Sequence, residues 1–559
     1  MRTLFVTLHS RYVHASLALP YLAAYCEPSC GPIEIREFNV NQPKENLLAE
    51  IASSSADVIG FSVYLWNRII TLELVCCLKQ INPRLRIILG GPEISYENDD
   101  FFGRYPVDAI IRGEGEVPLH HLLSAWRAGR APTPLAGLQT PDGVHPDGES
   151  LLDDLDLLPS PFALGRVDLS RGLVYYESSR GCPYQCSFCL SARSKGVRSF
   201  SMERIRADLS LLMHQGVKLI KFVDRTFNYD AARARDIFRF ILANNRCSAF
   251  HFEIGAHLLD RATLELLEQV PPETFQFEIG VQSTLPQTLR QVSRKVPLEL
   301  LAENVRALRA RTAVHLHLDL VAGLPEEPLP HFLDSIDFTC ELGAHHLQIE
   351  LVKLLPGTPL RERAQQLGLL YDAAPPYRIL ATPVLSFADL ERIRGIGRLN
   401  DLLVNSGKFV NLIAGLSACL GSLSACLDDL DSYWRHHQLY AVSRSLRDLV
   451  EEVDRYLCCR FSAARLAWLR ETLARDYARS ERIVSGSAPA FFNLALTAEE
   501  QAQVRQRVRK ELADVSRTGK VQYCSAVFEH LPDLPGRRVL IFLYVSRTAD
   551  GLSVQELLL

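Results

Sequence analysis

Three cysteines carry the most specific chemistry in this sequence: Cys182-Pro-Tyr-Gln-Cys186-Ser-Phe-Cys189. They follow Arg180-Gly181 and an apolar run, Leu173–Ser178, that reads as a strand. Three thiolates this close together are not ordinary core cysteines. A C-x3-C-x2-C loop wraps three irons of a [4Fe–4S] cube and leaves the fourth iron without a local protein ligand. That iron is open to a substrate or cofactor. Zinc is the competing reading. It asks for a fourth Cys or His nearby in a C-x2-C style pair, and the surrounding sequence offers none.

Such a loop needs a sheet to hold it. From about residue 166, strands are expected at 173–178, 218–223, 249–254, 275–280, 314–320 and 346–353. Helical stretches such as Met202–His214, Ala231–Asn244 and Ala302–Ala310 lie between them. Six βα units fall short of a full (β/α)8 barrel. A separate alternation precedes them. Thr3–Leu8, Ile33–Phe38, Asp57–Tyr64, Arg86–Gly90 and Val107–Ile111 read as buried parallel strands. Ala15–Tyr25, Lys44–Ser53, Asn67–Gln80 and Glu116–Ala128 read as their helices. That pattern predicts a doubly wound sheet of about five strands, with ligands outside its carboxyl edge. The polar and Gly-rich turns fall on that edge: His9-Ser10, Ser62 to Asn67, Gly90-Gly91-Pro92-Glu93 and Gly113-Glu114-Gly115-Glu116.

The expected organisation is therefore a front domain over 1–130, a surface linker rich in Pro, Gly and Asp over 131–165, the βα region over 166–370, and a mainly helical domain over 371–559. In the last, Ser432–Val453 and Ala463–Tyr477 read as long helices. Lys520–His530 and Arg538–Arg547 read as a terminal strand pair.

Composition narrows the classes. With 559 residues, 47% hydrophobic and 23% charged, the chain has the balance of a multidomain globular protein. A net charge of −4 gives no sign of a nucleic-acid or membrane surface. Fourteen dispersed cysteines do not form a disulfide framework, and an iron–sulfur loop needs reduced thiols. The opening residues lack the apolar core of a signal peptide, and the uncharged stretch Phe409–Leu427 is too mildly apolar for a membrane span, so it reads as one buried helix. A cytoplasmic protein without nucleic-acid or membrane partners is expected. Cys76-Cys77 and Cys458-Cys459 lack the spacing for a second cluster and read as packing residues.

The cysteine spacing, with Phe188 before the third Cys, resembles the radical S-adenosylmethionine (SAM) superfamily. Four later segments are similar to that family's strand-end elements. They are Phe222-Val223-Asp224, Phe277-Glu278 to Gln282-Ser283, His317-Leu318-Asp319 to Gly323-Leu324-Pro325, and Pro356-Gly357-Thr358-Pro359-Leu360. Arg225 stands where a second acid is common in the family. The resemblance implies an open (β/α)6 barrel, a [4Fe–4S] cluster on Cys182, Cys186 and Cys189, and SAM held by Phe188, Asp224, Glu278, Gln282 and Asp319. The plain alternative for any one such acid is a helix cap or ion-pair partner.

The front region resembles the Rossmann-like cobalamin-binding domain that precedes many radical SAM barrels. The resemblance rests on its doubly wound pattern and its G-G-P and G-E-G-E turns. It implies cobalamin contacts from Ser10, Ser62, Tyr64, Asn67, Gly90, Gly91, Pro92, Glu93, Glu114, Gly115 and Glu116. The motif D-x-H-x-x-G, whose His ligates cobalt in methionine-synthase-like domains, is missing, so base-off cobalamin without a His ligand is implied. The paired His9 and His14 read as a polar lead into a helix rather than a metal site. The opening and the helical tail are similar to a subgroup of cobalamin-dependent radical SAM proteins whose C-terminal domain is uncharacterised.

The implied activity is formation of a 5′-deoxyadenosyl radical that activates an unactivated carbon, most commonly for methyl transfer from methylcobalamin. The implied partners are a small-molecule or peptide substrate and an electron donor such as flavodoxin or ferredoxin. Radical rearrangement or cyclisation is the enzymatic alternative. A methylthiotransferase would need a front-domain cysteine triad that Cys26, Cys30, Cys76 and Cys77 do not form, and usually a basic tail. A non-catalytic cobalamin or redox sensor is the alternative of another class. It would keep the cofactor domain but tolerate loss of the strand-end acids.

Overall fold

Alternation within the first strand decides the front architecture. In β1 (Thr3–His9), Leu4, Val6 and Leu8 pack into one core and Phe5 into another, so the sheet is buried on both faces. The remaining strands are β2 (Ile33–Asn39), β3 (Val58–Ser62), β4 (Arg86–Gly90), β5 (Ala109–Ile111) and β6 (Leu138–Gln139). Their order is β2-β1-β3-β4-β5-β6, and all are parallel but the last. Helices Lys44–Ala52 and Arg68–Ile81 cover one face; Ala18–Cys30 and Glu116–Arg127 cover the other. The strand order reverses between β1 and β3, where open α/β sheets bind ligands.

This computed structural model describes residues 1–10, 16–97, 100–141, 143, 145–193, 196–484, 486, 488–515, 522–548 and 551–559. The expected helix at Ala15–Tyr25 begins at Ala18 and runs to Cys30; Ala15, with His14, lies outside the described residues.

The segment 131–165, expected as a surface linker, is partly built into the fold. β6 pairs antiparallel with β5, and Leu138, Leu155, Leu158 and Phe162 are buried. Isolated apolar residues in a Pro- and Gly-rich run carry no period, so their burial left no pattern to read.

The second sheet comprises β7 (Leu173–Tyr176), β10 (Leu219–Phe222), β11 (Ala249–Glu253), β12 (Phe275–Gln282), β13 (His315–Ala322) and β14 (His346–Leu351), in the order β14-β13-β12-β11-β10-β7. It is an open six-stranded sheet with helices between its strands. A small antiparallel pair, β8 (Ser179–Gly181) and β9 (Val197–Ser199), flanks the cysteine loop.

The chain falls into two compact units. One is Met1–Phe332, Leu342–His345 and Glu350–Leu390; the other is Leu333–Glu341, His346–Ile349 and Glu391–Leu559. In the second, the apolar stretch expected as one helix is two, Val410–Leu420 and Leu423–His436, bent by 96°. Gly421 at φ +103° ends the first, and Ser422 caps the second by accepting the Ala425 N–H. Among the described residues no single helix is long and apolar enough to cross a membrane. The expected helix Ser432–Val453 is also split. Gln438 takes a left-handed conformation, and Ser445 with Asp448 forms a capping box that starts Leu446–Arg460. The expected terminal strand pair is a three-stranded antiparallel sheet: Gly551–Leu558 joins Gln522–Phe528 and Arg538–Thr548.

Candidate active site

The carboxyl ends of β1, β3, β4 and β5 meet the ends of β7, β8 and β10 around a cavity of about 840 Å³. Of the residues proposed from sequence for cobalamin, Ser10, Ser62, Tyr64, the Gly90-Gly91-Pro92 turn and Glu114-Gly115-Glu116 line it. Two do not. Asn67 is fully buried; its Nδ2 donates to Leu8 O and Ser62 O, and its Oδ1 accepts the Tyr64 N–H at 2.8 Å. It staples the loop after β3. Glu93 is buried and accepts a hydrogen bond from Tyr377 Oη at 2.8 Å. In both cases burial satisfied by local partners takes the polar group away from the cavity.

The two glycines of the G-G-P turn differ. Gly91, at φ +106°, packs on the backbone of Val63: a Cβ would sit 2.5 Å from Val63 O. The turn itself demands glycine there. A Cβ at Gly90 would meet Ile111 at 3.7 Å, an ordinary contact, so the protein's own atoms leave room and only a ligand would object. Tyr64 and Trp66 stack at 4.7 Å and 4°, and Trp66 Nε1 donates to Leu8 O at 2.9 Å, giving the cavity a fixed flat wall. Bare backbone at Gly90, a flat aromatic pair and this volume fit a planar corrin. His9 is the histidine among the cavity's described lining. Its Nε2 lies 3.5 Å from Glu37 Oε2, an ion-pair distance at which no hydrogen bond is made.

The cysteine loop leaves β8 at Gly181, whose φ is +99° and whose Cβ would run into Gly196 O. Backbone bonds from Ser187 N to Val292 O and from Leu360 N to Ser187 O tie the loop to the barrel on two sides. Cys182 Sγ is 3.5 Å from Thr226 Oγ1, and Arg294 Nη1 is 3.7 Å from Cys186 Sγ. Burial pushes the Cys186 thiol up, and Arg294 opposes that shift. All three thiols are free and share one tethered loop with an arginine aimed at one of them. That donor set fits the three corner irons of a cube. Among the described residues no three His, Cys, Asp or Glu side chains converge as a single metal ion requires.

Inside the barrel the strands turn an unusual face inward. Phe222, Phe250, Phe252, Phe275 and Phe277 pack with Phe227 and Phe238 in one aromatic core. The intervening positions are Lys221, Glu253, Glu278, His317 and Asp319, and register places Glu253 beside Glu278 and Glu278 beside His317. His251 Nε2 lies 2.9 Å from Glu278 Oε2, and Lys221 Nζ lies 3.5 Å from it. The His251 hydrogen bond, aided by Lys221 against the cost of burial, holds Glu278 down at about 2. Burial, with the charges of Glu278 and Glu253, pushes Asp319 up to about 8; burial likewise pushes Glu253 to about 7 against the pull of Arg225. His317 Nε2 is 3.2 Å from Asp319 Oδ1.

The structure corrects the expected role of Asp224. It is fully buried, accepts hydrogen bonds from Ser178 N, Ser178 Oγ and Ser179 Oγ, and so pins the turn between β7 and β8 instead of facing the lumen. Gln282 ends β12 at φ +71°, folded over Gly280, and Phe188 is half-buried on the loop. Several lining or lumen residues went unassigned from sequence: Arg180, Arg225, Glu177, His251, Glu253 and Lys221. A signal existed for His251 and Glu253, which alternate with phenylalanines in Ala-Phe-His-Phe-Glu at a strand end. Arg225, noted only as a departure, is exposed on the cavity wall.

Comparison with known proteins covers most of the chain in three pieces. Residues 3–123 match the B12 binding domain, 176–339 the radical SAM superfamily, and 365–525 a family of unknown function, DUF4080. The cobalamin-dependent radical SAM methyltransferase TokK of Streptomyces tokunonensis is 30% identical over 343 residues, 56% of this chain and 49% of that protein. The 2-(S-pantetheinyl)-carbapenam-3-carboxylate methyltransferase of Streptantibioticus cattleyicolor is 28% identical over 54% of this chain and 48% of that one. The chain thus spans about half the length of these curated relatives. The solved structure of the cobalamin-dependent S-adenosylmethionine radical enzyme OxsB with aqua-cobalamin bound shares the fold, with TM-score 0.60 and 17% identity over 92% of this chain and 84% of that one.

Proposed function

The chain belongs to the cobalamin-dependent radical SAM family, and we propose that it is a methyltransferase acting on an unactivated carbon of a small molecule or peptide. One observation carries the reading. The cavity that runs from the glycine turns of the front sheet reaches Gly181, Leu190 and Ser191, which flank the cysteine loop in sequence, so the proposed cobalamin site lies beside the proposed cluster site. When bound, a [4Fe–4S] cluster with SAM supplies a carbon-centred radical and cobalamin supplies a transferable methyl group.

The protein's own part is holding, orienting and excluding water. Cys182, Cys186 and Cys189 would ligate the cluster, and Arg294 favours the thiolate at Cys186. Gly90, Tyr64 and Trp66 would seat the corrin face. Without a D-x-H-x-x-G histidine in the chain, the cofactor would be held base-off with no histidine ligand. Burial pushes the lumen groups Glu253 and Asp319 up to about 7 and 8, so a positive charge brought beside them would draw them toward the ionised form. The reductant is proposed to be a flavodoxin or ferredoxin, the compartment the cytoplasm, with neither nucleic acid nor membrane as partner.

The test is anaerobic reconstitution followed by incubation with SAM carrying a deuterated methyl group, cobalamin, reductant and candidate substrates. Label in the product together with 5′-deoxyadenosine supports methyl transfer. 5′-Deoxyadenosine with an unlabelled, rearranged or cyclised product would replace it with the other radical chemistry. Absence of SAM cleavage in cluster-loaded protein would point to a sensor.

A further inference from the structure

Arg180 is gripped on three sides. Its Nη1 donates to Glu114 Oε2 at 3.0 Å, its Nη2 lies 2.8 Å from Glu116 Oε1, and its Nε donates to Glu177 Oε2 at 2.9 Å. Glu114 and Glu116 belong to the turn after β5 in the front sheet. Glu177 follows β7 in the barrel, and Arg180 lies on β8, two residues before the first cluster cysteine. Its side chain is 12% exposed and sits over the Tyr21 ring. Arg198, its register partner on β9, forms a second ion pair with Glu114.

Buried ion pairs are weak stabilisers, because desolvating each ion offsets their attraction; what they supply here is a fixed geometry between two chain segments. The segments joined are specific. Glu114, Gly115, Glu116, Arg180 and Gly181 all line the cavity. Gly181 pairs with Val197 across β8 and β9 and lies so close to Gly196 O that a Cβ there would clash. A displacement of the front-sheet turn therefore reaches Cys182 through one guanidinium and one glycine.

We propose that Arg180 is a positioning residue that couples the cobalamin cavity to the cluster loop, so that cobalamin binding changes SAM affinity. The proposal rests on the cofactor reading above. It also gives the acids of the G-E-G-E turn a role of their own: they grip the barrel while Gly115 between them faces the cavity. Thermodynamic linkage makes the coupling reciprocal, so SAM must change cobalamin affinity by the same factor.

The experiment uses the full-length, cluster-loaded protein without reductant, so that SAM is bound and not cleaved. SAM dissociation constants are measured with and without saturating hydroxocobalamin. The wild-type ratio is expected to be about fivefold or more. Arg180→Gln should bring it close to one at unchanged iron content. Arg180→Lys should do the same, because an ammonium keeps the charge but cannot span three carboxylates in one plane. A Glu114→Gln, Glu116→Gln double variant leaves the cysteine loop's sequence untouched and should match them. It decides the matter if the Arg180 variants fail to hold iron. A wild-type ratio of one, or a ratio unchanged in these variants, overturns the proposal. Loss of all cobalamin binding in the double variant would make the two acids ligands and would also overturn it. Wild-type protein that binds neither cofactor would instead remove the family-based reading on which the proposal stands.

Discussion

The two sheets of the first unit solve the same problem in opposite ways. The front sheet is apolar on both faces, and its candidate chemistry sits on strand ends and loops at one edge. The barrel sheet packs phenylalanines on one face and lines its lumen with Lys221, Glu253, Glu278, His317 and Asp319 on the other. A planar ligand laid on an edge needs bare backbone and few charges. A lumen that must hold charged groups needs strand residues, whose positions the hydrogen-bonded register fixes. Substitutions should therefore separate the two regions: edge changes act on ligand fit, lumen changes on charge balance.

The largest expected effect divides the two sites outright. A Cys182→Ala, Cys186→Ala, Cys189→Ala triple variant should fall from about four irons to none and form no 5′-deoxyadenosine, measured by iron assay and chromatography. Cobalamin binding should persist in it, weakened only by the lost coupling. Its disappearance would show that the edge site has no independent existence.

Next comes the edge itself. Gly90→Val should abolish cobalamin binding, followed by visible absorption after gel filtration, while iron content stays at the wild-type level. A Cβ there meets only Ile111 within the protein, at an ordinary 3.7 Å. Gly91→Val is a poorer probe, since left-handed strain and a clash with Val63 O each destabilise the turn, on the order of 1–3 kcal/mol for the strain. Retention of cobalamin by Gly90→Val would take the corrin away from this strand end.

Much of this contrast was legible in the sequence. Continuous apolar runs such as Thr3–Leu8 and Arg86–Gly90 mark strands covered on both sides, and the turns between them carry the glycines that a close approach needs. The cysteine loop was legible because its spacing has few other uses. What resisted reading was partnership across distance. Asp224 at a strand end looks the same in sequence whether it faces a lumen or pins Ser178 and Ser179, and only the fold brings those hydroxyls to it. Glu114 and Glu116 were assigned to a ligand because nothing in sequence places Arg180, more than sixty residues on, against them. Gly421 is a visible break, but the bend it makes with Ser422 depends on where the following helix packs.

The lumen should respond through charge. Glu278→Gln removes the partner of His251 and Lys221 and should cost about 1.5–3 kcal/mol near neutral pH, by denaturant unfolding of cluster-loaded protein. Since folding lowers Glu278 from 4.5 to about 2, its contribution is present above the ordinary value and is lost as pH falls through the lower one. Asp319 has the opposite sign. Folding raises it from 3.8 to about 8, so the native state binds more protons across that window and stability declines as pH rises through it. Asp319→Asn should flatten that decline in a series of melting temperatures taken from about pH 5 to pH 8. An unchanged slope would mean that Asp319 is ionised in the folded chain.

The smallest effect sharpens the comparison at the point where edge and barrel touch. The G-G-P-E turn holds the segment after the barrel's last strand through Glu93, which accepts from Tyr377 Oη at 2.8 Å; the G-E-G-E turn grips the barrel through two carboxylates on Arg180. The first is one neutral donor on one acid. Arg68 stays 3.9 Å from Glu93 when the phenol is removed, and burial already raises the Glu93 carboxyl, so the acid left behind can take up a proton. Tyr377→Phe should therefore cost only about 0.5–1.5 kcal/mol in denaturant unfolding. It should leave the ratio of SAM affinities with and without cobalamin at its wild-type value. Tyr377 does stand between Glu93 and Arg361, which neighbours the Leu360 bonded to Ser187 O of the cysteine loop, but one neutral hydrogen bond is a weaker link than the carboxylate bonds on Arg180 and should transmit little coupling. A Tyr377→Phe protein whose ratio collapsed as in the Arg180 variants would show that docking of the two sheets in general, and not the Arg180 grip in particular, links the two sites.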